Sequence, residues 1–298
     1  MNRHPHKEKE ENTFPQYMTL AHTALSAALE ANAAIMEVYS GKIMPERKSD
    51  GSPITLADKR ANSIILKHLK KTGIPVVSEE SEIPDHHTRT NWPHYWMVDP
   101  LDGTKEFIGR NGEFTVNIAL ITEGEPVIGV ITAPALQLAW TAVKGERPRK
   151  IKNTRSIDLF NTEGGLPGEF IEQQLDHNDG IKVAVSRSHL DPKTTSLVRE
   201  LKLIHPGLTM HPKGSSLKFC DLAEGLANIY PRYTPTFEWD TAAGHAILNA
   251  AGGELFDMET KQPLRYTKQE LRNPSLIAFA DKEESGVFFF RTLRLTKG

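Results

Sequence analysis

The chain has 298 residues, 38% hydrophobic and 25% charged, which is long enough for one large core or two packed subdomains and suits a globular fold. Its 36 Lys and Arg against 38 Asp and Glu leave a formal net charge of −2 and no basic stripe, which argues against a nucleic-acid polymer as partner but allows a small phosphorylated molecule in a local basic pocket. No apolar run approaches the roughly 18 residues of a membrane helix, residues 1–12 lack a signal-peptide core, and the lone Cys220 makes no internal disulfide, so the expected location is cytoplasmic, with peripheral attachment to the inner membrane left open.

Residues 1–15 read as a disordered leader. From Gln16 to Ser40 an Ala- and Leu-rich run puts Met18, Leu25, Leu29 and Met36 on one helical face, and Gly41 supplies a stop. After a turn-rich loop at 48–53, Thr55-x-x-Asp58 opens a second helix with Ala61, Ile64, Ile65 and Leu69 inward and Gly73 at its end. Short strands at 75–78 and 95–98 deliver Glu79, Glu80 and Asp99, and strand-like runs at 114–121, 127–131 and 138–143 continue a largely antiparallel sheet, with a hairpin-type connection at Glu123-Gly124-Glu125-Pro126 between the first two runs. The polar stretch 145–180 reads as a mobile connection. Beyond it, a strand at 182–186, helices at 216–226 and 241–251 and a strand at 275–280 give an alternating α/β half, so the domains are expected at 16–180 and 181–298.

The most informative run is Trp96-Met97-Val98-Asp99-Pro100-Leu101-Asp102-Gly103-Thr104. Read as a buried strand that ends in a tight turn, it places Asp99 and Asp102 at the first and fourth turn positions and frees the Leu101 carbonyl. Two carboxylates and a carbonyl are hard oxygen ligands of the kind Mg²⁺ takes, against the plainer reading of an ordinary Asp-Gly turn. Gly103 would let a phosphate approach the backbone, and Thr104 opens a helical turn. Adjacent Glu79 and Glu80 repel each other unless a cation lies near, though alone they suit a solvated loop. Asp240 stands at a helix start, where capping is the plain role and metal ligation the functional one; Ala242, Ala243 and Gly244 let that helix pack closely. Asp58 either only caps its helix or accepts the Thr104 hydroxyl, which would orient Thr104 toward an attacking water.

Downstream, His211-Pro-Lys-Gly-Ser215-Ser216-Leu-Lys218-Phe-Cys220 combines a glycine turn, two hydroxyls and a lysine at a helix start. Tyr230-Pro-Arg232-Tyr adds a guanidinium suited to phosphate, and Ser186-Arg-Ser-His189 follows a strand that could reach the same ligand. Each segment read singly also suits a plain capped helix or loop. Cys220 reads as a buried small hydrophobe.

The motifs Asp-Gly-Ser-Pro-Ile-Thr-Leu-Ala-Asp (50–58), Ser-Glu-Glu (78–80), Asp-Pro-Leu-Asp-Gly-Thr (99–104) and Trp-Asp-Thr-Ala-Ala-Gly (239–244), in this order, resemble the inositol monophosphatase superfamily from about residue 16 onward. Lys-Glu-Phe after Asp-Gly-Thr, Ser-Arg-Ser-His, Gly-Ser-Ser-Leu-Lys-Phe-Cys and Tyr-Pro-Arg are similar to its CysQ-type 3'(2'),5'-bisphosphate nucleotidases. The resemblance implies a layered α-β-α-β-α sandwich, an α/β (α+β) fold of the inositol monophosphatase/fructose-1,6-bisphosphatase type. It implies hydrolysis of adenosine 3',5'-bisphosphate, with its sulfonated analogue 3'-phosphoadenosine 5'-phosphosulfate a further candidate, in sulfur assimilation, and inhibition by lithium. Carried onto this sequence, Glu79, Asp99, the Leu101 carbonyl, Asp102 and Asp240 would bind two or three Mg²⁺, Thr104, Asp58 and Glu79 would serve catalysis, and Gly103, Ser215, Lys218, Arg232 and His189 would line the nucleotide site beside Glu79, Leu101, Asp102, Thr104 and Asp240. The competing expectations are an inositol monophosphatase or sugar bisphosphatase on the same site, and a non-catalytic metabolite-binding regulator. Oligomeric state is not legible.

Overall fold

The computed structural model describes residues 5–47, 53–157, 165–175, 180–188 and 190–283, with side chains from Gln16. Helix α1 (Pro5–Ser40) is followed by the short pair β1 (Glu46–Arg47) and β2 (Pro53–Ile54), then α2 (Leu56–Leu69), β3 (Val76–Ser78), α3 (His86–Thr90), β4 (His94–Asp102) and α4 (Thr104–Ile108). Strands β5 (Thr115–Thr122), β6 (Glu125–Ala133), β7 (Leu138–Val143), β8 (Arg149–Lys152) and β9 (Glu169–Phe170) complete a first sheet. The second half runs β10 (Lys182–Ser186), α5 (Pro192–Ile204), β11 (Thr209–Lys213), α6 (Leu217–Ala223), β12 (Ile229–Arg232), α7 (Glu238–Ala250), β13 (Glu254–Asp257) and β14 (Leu276–Phe279).

Side-chain alternation along the strands sorts these elements into layers, because residues two apart share a sheet face. On one face of the seven-stranded sheet, Trp96, Val98, Ile118, Leu120 and Val130 pack against α1 and α2, which meet it through Ala24, Ala28, Ala31, Ala61 and Ile65. On the other, Tyr95, Met97, Ala119, Ile121 and Ile131 share a core with Phe219 of α6, Ala243 and Ile247 of α7, and Ala184, Tyr230, Leu276 and Ala278 of the five-stranded sheet. The far face of that second sheet (Val183, Val185, Ile229, Ile277, Phe279) is covered by Leu197, Val198 and Leu201 of α5. The order is α-β-α-β-α, as expected from the resemblance.

Local chemistry explains most boundaries. The Thr55 side chain accepts the Ala57 N–H and the Asp58 carboxylate returns to the Thr55 N–H at 2.7 Å, so α2 begins on the anticipated capping pair. Glu123 (φ 52°) and Gly124 (φ 76°) form the two-residue turn between β5 and β6, where both centres need positive φ. Asp191 caps α5, whose first residue is Pro192.

Four expectations change. The leader at 1–15 is helical from Pro5, continuous with α1. Within 145–180, β8 and β9 extend the first sheet antiparallel to β7, so that stretch is in part sheet rather than connection. Helix α7 starts at Glu238, with Phe237 at the capping position, so Asp240 is its third residue and not its cap. Strand β4 does not stop at Asp99 in a turn but runs on to Asp102 through a bulge.

The small residues of α7 pack as anticipated. A Cβ on Gly244 would meet the Phe219 side chain at 2.5 Å, and one on Gly129 of β6 would overlap the Ala243 carbonyl oxygen and lie 2.8 Å from the Ala246 Cβ. Glycine at 129 thus sets how near α7, and with it Asp240, lies to the first sheet. Gly129→Ala should destabilise the protein by about 1–3 kcal/mol, the usual cost of overpacking, read as a lower urea midpoint with an unchanged slope.

Candidate active site

The bulge in β4 decides where the acids point. Residues three apart on a regular strand face opposite sides. Here Asp99 pairs with Asn117 and Asp102 with Thr115, so one residue is extra on β4 and both acids turn to the face shared by Thr115 and Asn117, toward α6 and α7. The Leu101 N–H donates to Asp99 Oδ1 at 3.0 Å, which fixes that carboxylate over the bulge. Glu79 follows β3, whose parallel pairing with β4 brings it alongside: its N–H donates to the Val98 carbonyl.

Glu79, Asp99 and Asp240 each offer a carboxylate oxygen within 4.8 Å of the others. The Asp240 carboxylate also accepts the Phe237 N–H at 2.8 Å, stitching the first turn of α7. Asp102 stands beside this trio, with its Oδ2 accepting the hydroxyls of Ser215 at 2.6 Å and Ser216 at 2.8 Å. Burial, then Glu79, Asp102 and Asp240, push the Asp99 carboxyl well above the ordinary carboxylate range. Burial, then Asp102 and Glu79, do the same to Asp240. A set of hard oxygen donors that resists ionising together is the donor chemistry that fits a divalent cation such as Mg²⁺.

Two helix ends and one turn flank the acids. Asp58 is buried; its Oδ1 takes the Thr104 hydroxyl at 3.4 Å, the anticipated contact, and burial raises its pKa against the lowering hydrogen bonds of Thr55. Gly103 (φ 86°) leads into α4, and a Cβ there would lie 3.3 Å from both the Ser215 Cβ and Glu106 Oε2. The positive φ favours glycine, and a Cβ would fit only tightly.

Beyond the acids opens a pocket lined among others by Asp102, Gly103, Lys218, Tyr230, Arg232 and Asp240. Lys218 is almost wholly buried; its ammonium donates to the carbonyls of Ser215 and Lys213 and lies 5.3 Å from the Tyr230 ring centre. Burial lowers its pKa to about 8, against the raising charge of Asp102 and with the help of Arg232. Arg232 keeps a buried Nε without a hydrogen-bond partner.

The structure therefore brings Asp58, Glu79, Asp99, Leu101, Asp102, Gly103, Thr104, Ser215, Lys218, Arg232 and Asp240 to one region. Ser215 lines the pocket, but its hydroxyl is turned to Asp102. His189 lies outside the described residues. Arg187, beside it, is held by Glu113 at 2.6 and 2.8 Å.

Sequence reasoning missed several polar residues that build the site. Asn62, one turn after Asp58 on α2, holds the Glu79 turn through Ser78 Oγ at 2.7 Å and the Glu80 carbonyl at 2.9 Å. Thr115 and Asn117 stand behind Ser215 and Ser216, and Glu106 accepts the Ser188 hydroxyl at 2.5 Å. The available signal was the burial face itself: Asn62 shares the inward stripe of α2, and Thr115 and Asn117 share a face with Ala119 and Ile121.

Residues 16–286 match the inositol monophosphatase family. The 3'(2'),5'-bisphosphate nucleotidase CysQ of Salmonella typhimurium is 45% identical over 249 residues, covering 82% of this chain and 92% of that protein. The CysQ nucleotidase of Haemophilus influenzae is 30% identical, covering 88% and 93%. The crystal structure of CysQ from Bacteroides thetaiotaomicron superposes with a TM-score of 0.80 at 41% identity, covering 89% of this chain and 98% of that one. The fold is shared more widely, for instance with the suhB protein of Bartonella henselae at a TM-score of 0.68 and 22% identity. The arrangement of acids around the bulge of β4 and the start of α7 thus stands in a chain that belongs to the inositol monophosphatase family.

Proposed function

We propose that the protein is a magnesium-dependent phosphatase that removes the 3'-phosphate of adenosine 3',5'-bisphosphate, giving AMP and phosphate. The observation that carries this reading is the union of two opposite features in one site: the acids Glu79, Asp99 and Asp240 within 4.8 Å, and a pocket beside them with the cations Lys218 and Arg232. The resemblance to nucleotidases named CysQ supports the same substrate.

Glu79, Asp99, the Leu101 carbonyl, Asp102 and Asp240 would hold two or three Mg²⁺. Bound there, the cations supply Lewis acidity and a water made nucleophilic at neutral pH. The chain's own residues do the positioning. Asp58 orients the Thr104 hydroxyl by accepting its hydrogen bond, which leaves the lone pairs of the Thr104 oxygen free to accept from an attacking water. Gly103 lets the phosphoryl group come close to the backbone. Arg232, with its unpartnered Nε, and Lys218 would receive the second phosphate. No covalent intermediate with a side chain is needed, and Cys220, fully buried with its thiol pKa raised by burial, takes no part.

Phosphate release measured in parallel on adenosine 3',5'-bisphosphate, inositol 1-phosphate and fructose 1,6-bisphosphate should favour the first; preference for either other compound defeats the substrate assignment. Arg232→Met should raise KM for the bisphosphate about 10- to 100-fold, as expected for a lost charge-assisted hydrogen bond, and leave KM for 3'-AMP nearly unchanged.

The acids give a pH-dependent test. Asp99 and Asp240 have folded-state pKa values above the ordinary 3.8, so the folded protein binds more protons than the unfolded chain in that window. Cation-free stability then falls as pH rises above 3.8 through the raised values. Millimolar MgCl₂ should raise Tm by several degrees at pH 8 and by less at pH 5. Asp99→Asn should raise the cation-free Tm at pH 8, remove most of the magnesium effect and cut turnover by several orders of magnitude. Unchanged turnover would refute the metal assignment.

Lys218 gives a second profile. Its positive charge is lost as pH rises through about 8, so kcat/KM for the bisphosphate should fall above that pH. Lys218→Met should lower kcat/KM at pH 7 and flatten the alkaline limb.

A further inference from the structure

Behind Asp102 lies a set of buried hydrogen bonds with a fixed direction. Thr115 and Asn117 are alternate residues of β5, with 0% and 1% exposure, and both face the acids. Thr115 Oγ1 is 2.6 Å from Ser215 Oγ, and Asn117 Nδ2 donates to Ser216 Oγ at 2.9 Å. Ser215 and Ser216 in turn both reach Asp102 Oδ2, and Ser216 Oγ is also 3.0 Å from the Asp240 carbonyl oxygen.

Proton counting orders these contacts. A hydroxyl has one proton and two lone pairs, and an amide nitrogen only donates. Asn117 therefore occupies a lone pair of Ser216 and leaves the Ser216 proton one place to go, the gap between Asp102 Oδ2 and the Asp240 carbonyl. Thr115 Oγ1 also lies 3.0 Å from Asn117 Oδ1, and that contact sets which way the amide faces. Thr115 gives its one proton to Asn117 Oδ1, so the directed path runs from Asn117 through Ser216 to Asp102 Oδ2, with Ser215 reaching the same oxygen. Neither serine hydroxyl bonds the other oxygen, Oδ1. Ser216 at the same time ties Asp102 of the first sheet to the first turn of α7.

We propose that Asn117 is a positioning residue for the cation site: acting through Ser216, it keeps Asp102 Oδ2 occupied by hydroxyl donors and Asp102 Oδ1 available to a divalent cation. This rests on the reading of the acids as a divalent-cation site. Outer partners of metal-binding carboxylates set ligand orientation, and their loss weakens metal affinity about 10- to 100-fold.

The test measures Mn²⁺ binding directly, by the free-ion electron paramagnetic resonance signal, on the full chain without substrate. Asn117→Leu removes the donor at similar volume, and Ser216→Ala removes the relay. Each should raise the Mn²⁺ dissociation constant about tenfold or more, and the double variant should be no weaker than the worse single, because both break one path. Asn32→Leu provides the control: Asn32, on α1, is a buried amide that accepts the Thr132 hydroxyl at 2.7 Å and keeps an unpartnered Nδ2, and its replacement should leave Mn²⁺ affinity unchanged whatever it does to Tm. Wild-type affinity in Ser216→Ala, or losses in the two singles that add fully in the double, overturns the inference; should Asn117→Leu not fold, the affinity of Ser216→Ala alone decides. Asp99→Asn separates the two levels. If it binds Mn²⁺ like the wild type, the cation reading itself fails; if it loses Mn²⁺ while Ser216→Ala retains it, only the role of Asn117 fails.

Discussion

Carboxylates gathered in a buried corner repel one another, and what eases the ionisation of Asp99 from within the protein is a backbone N–H from Leu101. Much of the surrounding architecture holds that unfavourable cluster in place. The bulge in β4 turns Asp102 to the same face as Asp99. Asn62 pins the turn carrying Glu79 to α2. The glycines at 129 and 244 let α7 lie close enough for Asp240 to meet them. A divalent cation held by such a cluster would stabilise the fold, so occupancy and stability would be linked.

The acids come from different layers, and this makes the site a product of the whole sandwich. Asp58 and Asn62 stand on the outer helix α2, Glu79, Asp99 and Asp102 on the first sheet, and Asp240 on the middle helix α7. The central core under them is shared by both sheets, with Met97 and Ala119 on one side and Tyr230 and Ala278 on the other. Neither sheet holds the complete acid set, and the serines at 215 and 216 cross from the second half of the chain to Asp102 on the first.

Single motifs foretold the ingredients of the site better than its geometry. Thr55-x-x-Asp58 was legible because a capping pair is a local interaction, and the Asp58–Thr104 contact followed from chemistry at both ends. The layered order was legible only through the ordered motifs that carry the family resemblance. The bulge was not: Asp-Pro-Leu-Asp-Gly reads equally well as a turn, and only pairing with Thr115 and Asn117 shows that β4 continues. Asp240 looked like a cap because Trp239 gives no hint that the helix has already begun at Glu238, whose buried carboxylate is held by the N–H groups of Thr267 and Lys268. Asn117 was hidden in an otherwise apolar strand, where long-range contacts alone give one polar side chain meaning.

The two cations of the pocket are not equivalent, and the difference couples recognition to the acids. Lys218 already donates to the Ser215 carbonyl, and the Ser215 hydroxyl donates to Asp102, so one residue joins the ammonium to the acid cluster. Asp102 supports the charge on Lys218, while burial and Arg232 oppose it. A divalent cation at Asp102 would offset that support and leave two buried positive groups side by side. A phosphate between Lys218 and Arg232 restores the balance. The cation and an anionic nucleotide should therefore each strengthen the binding of the other, and by linkage the factor must be the same in both directions. On these electrostatics, a bisphosphate would suit the pocket better than a neutral-tailed monophosphate, because its second phosphate would meet the pair of charges that a cation at Asp102 leaves unsupported.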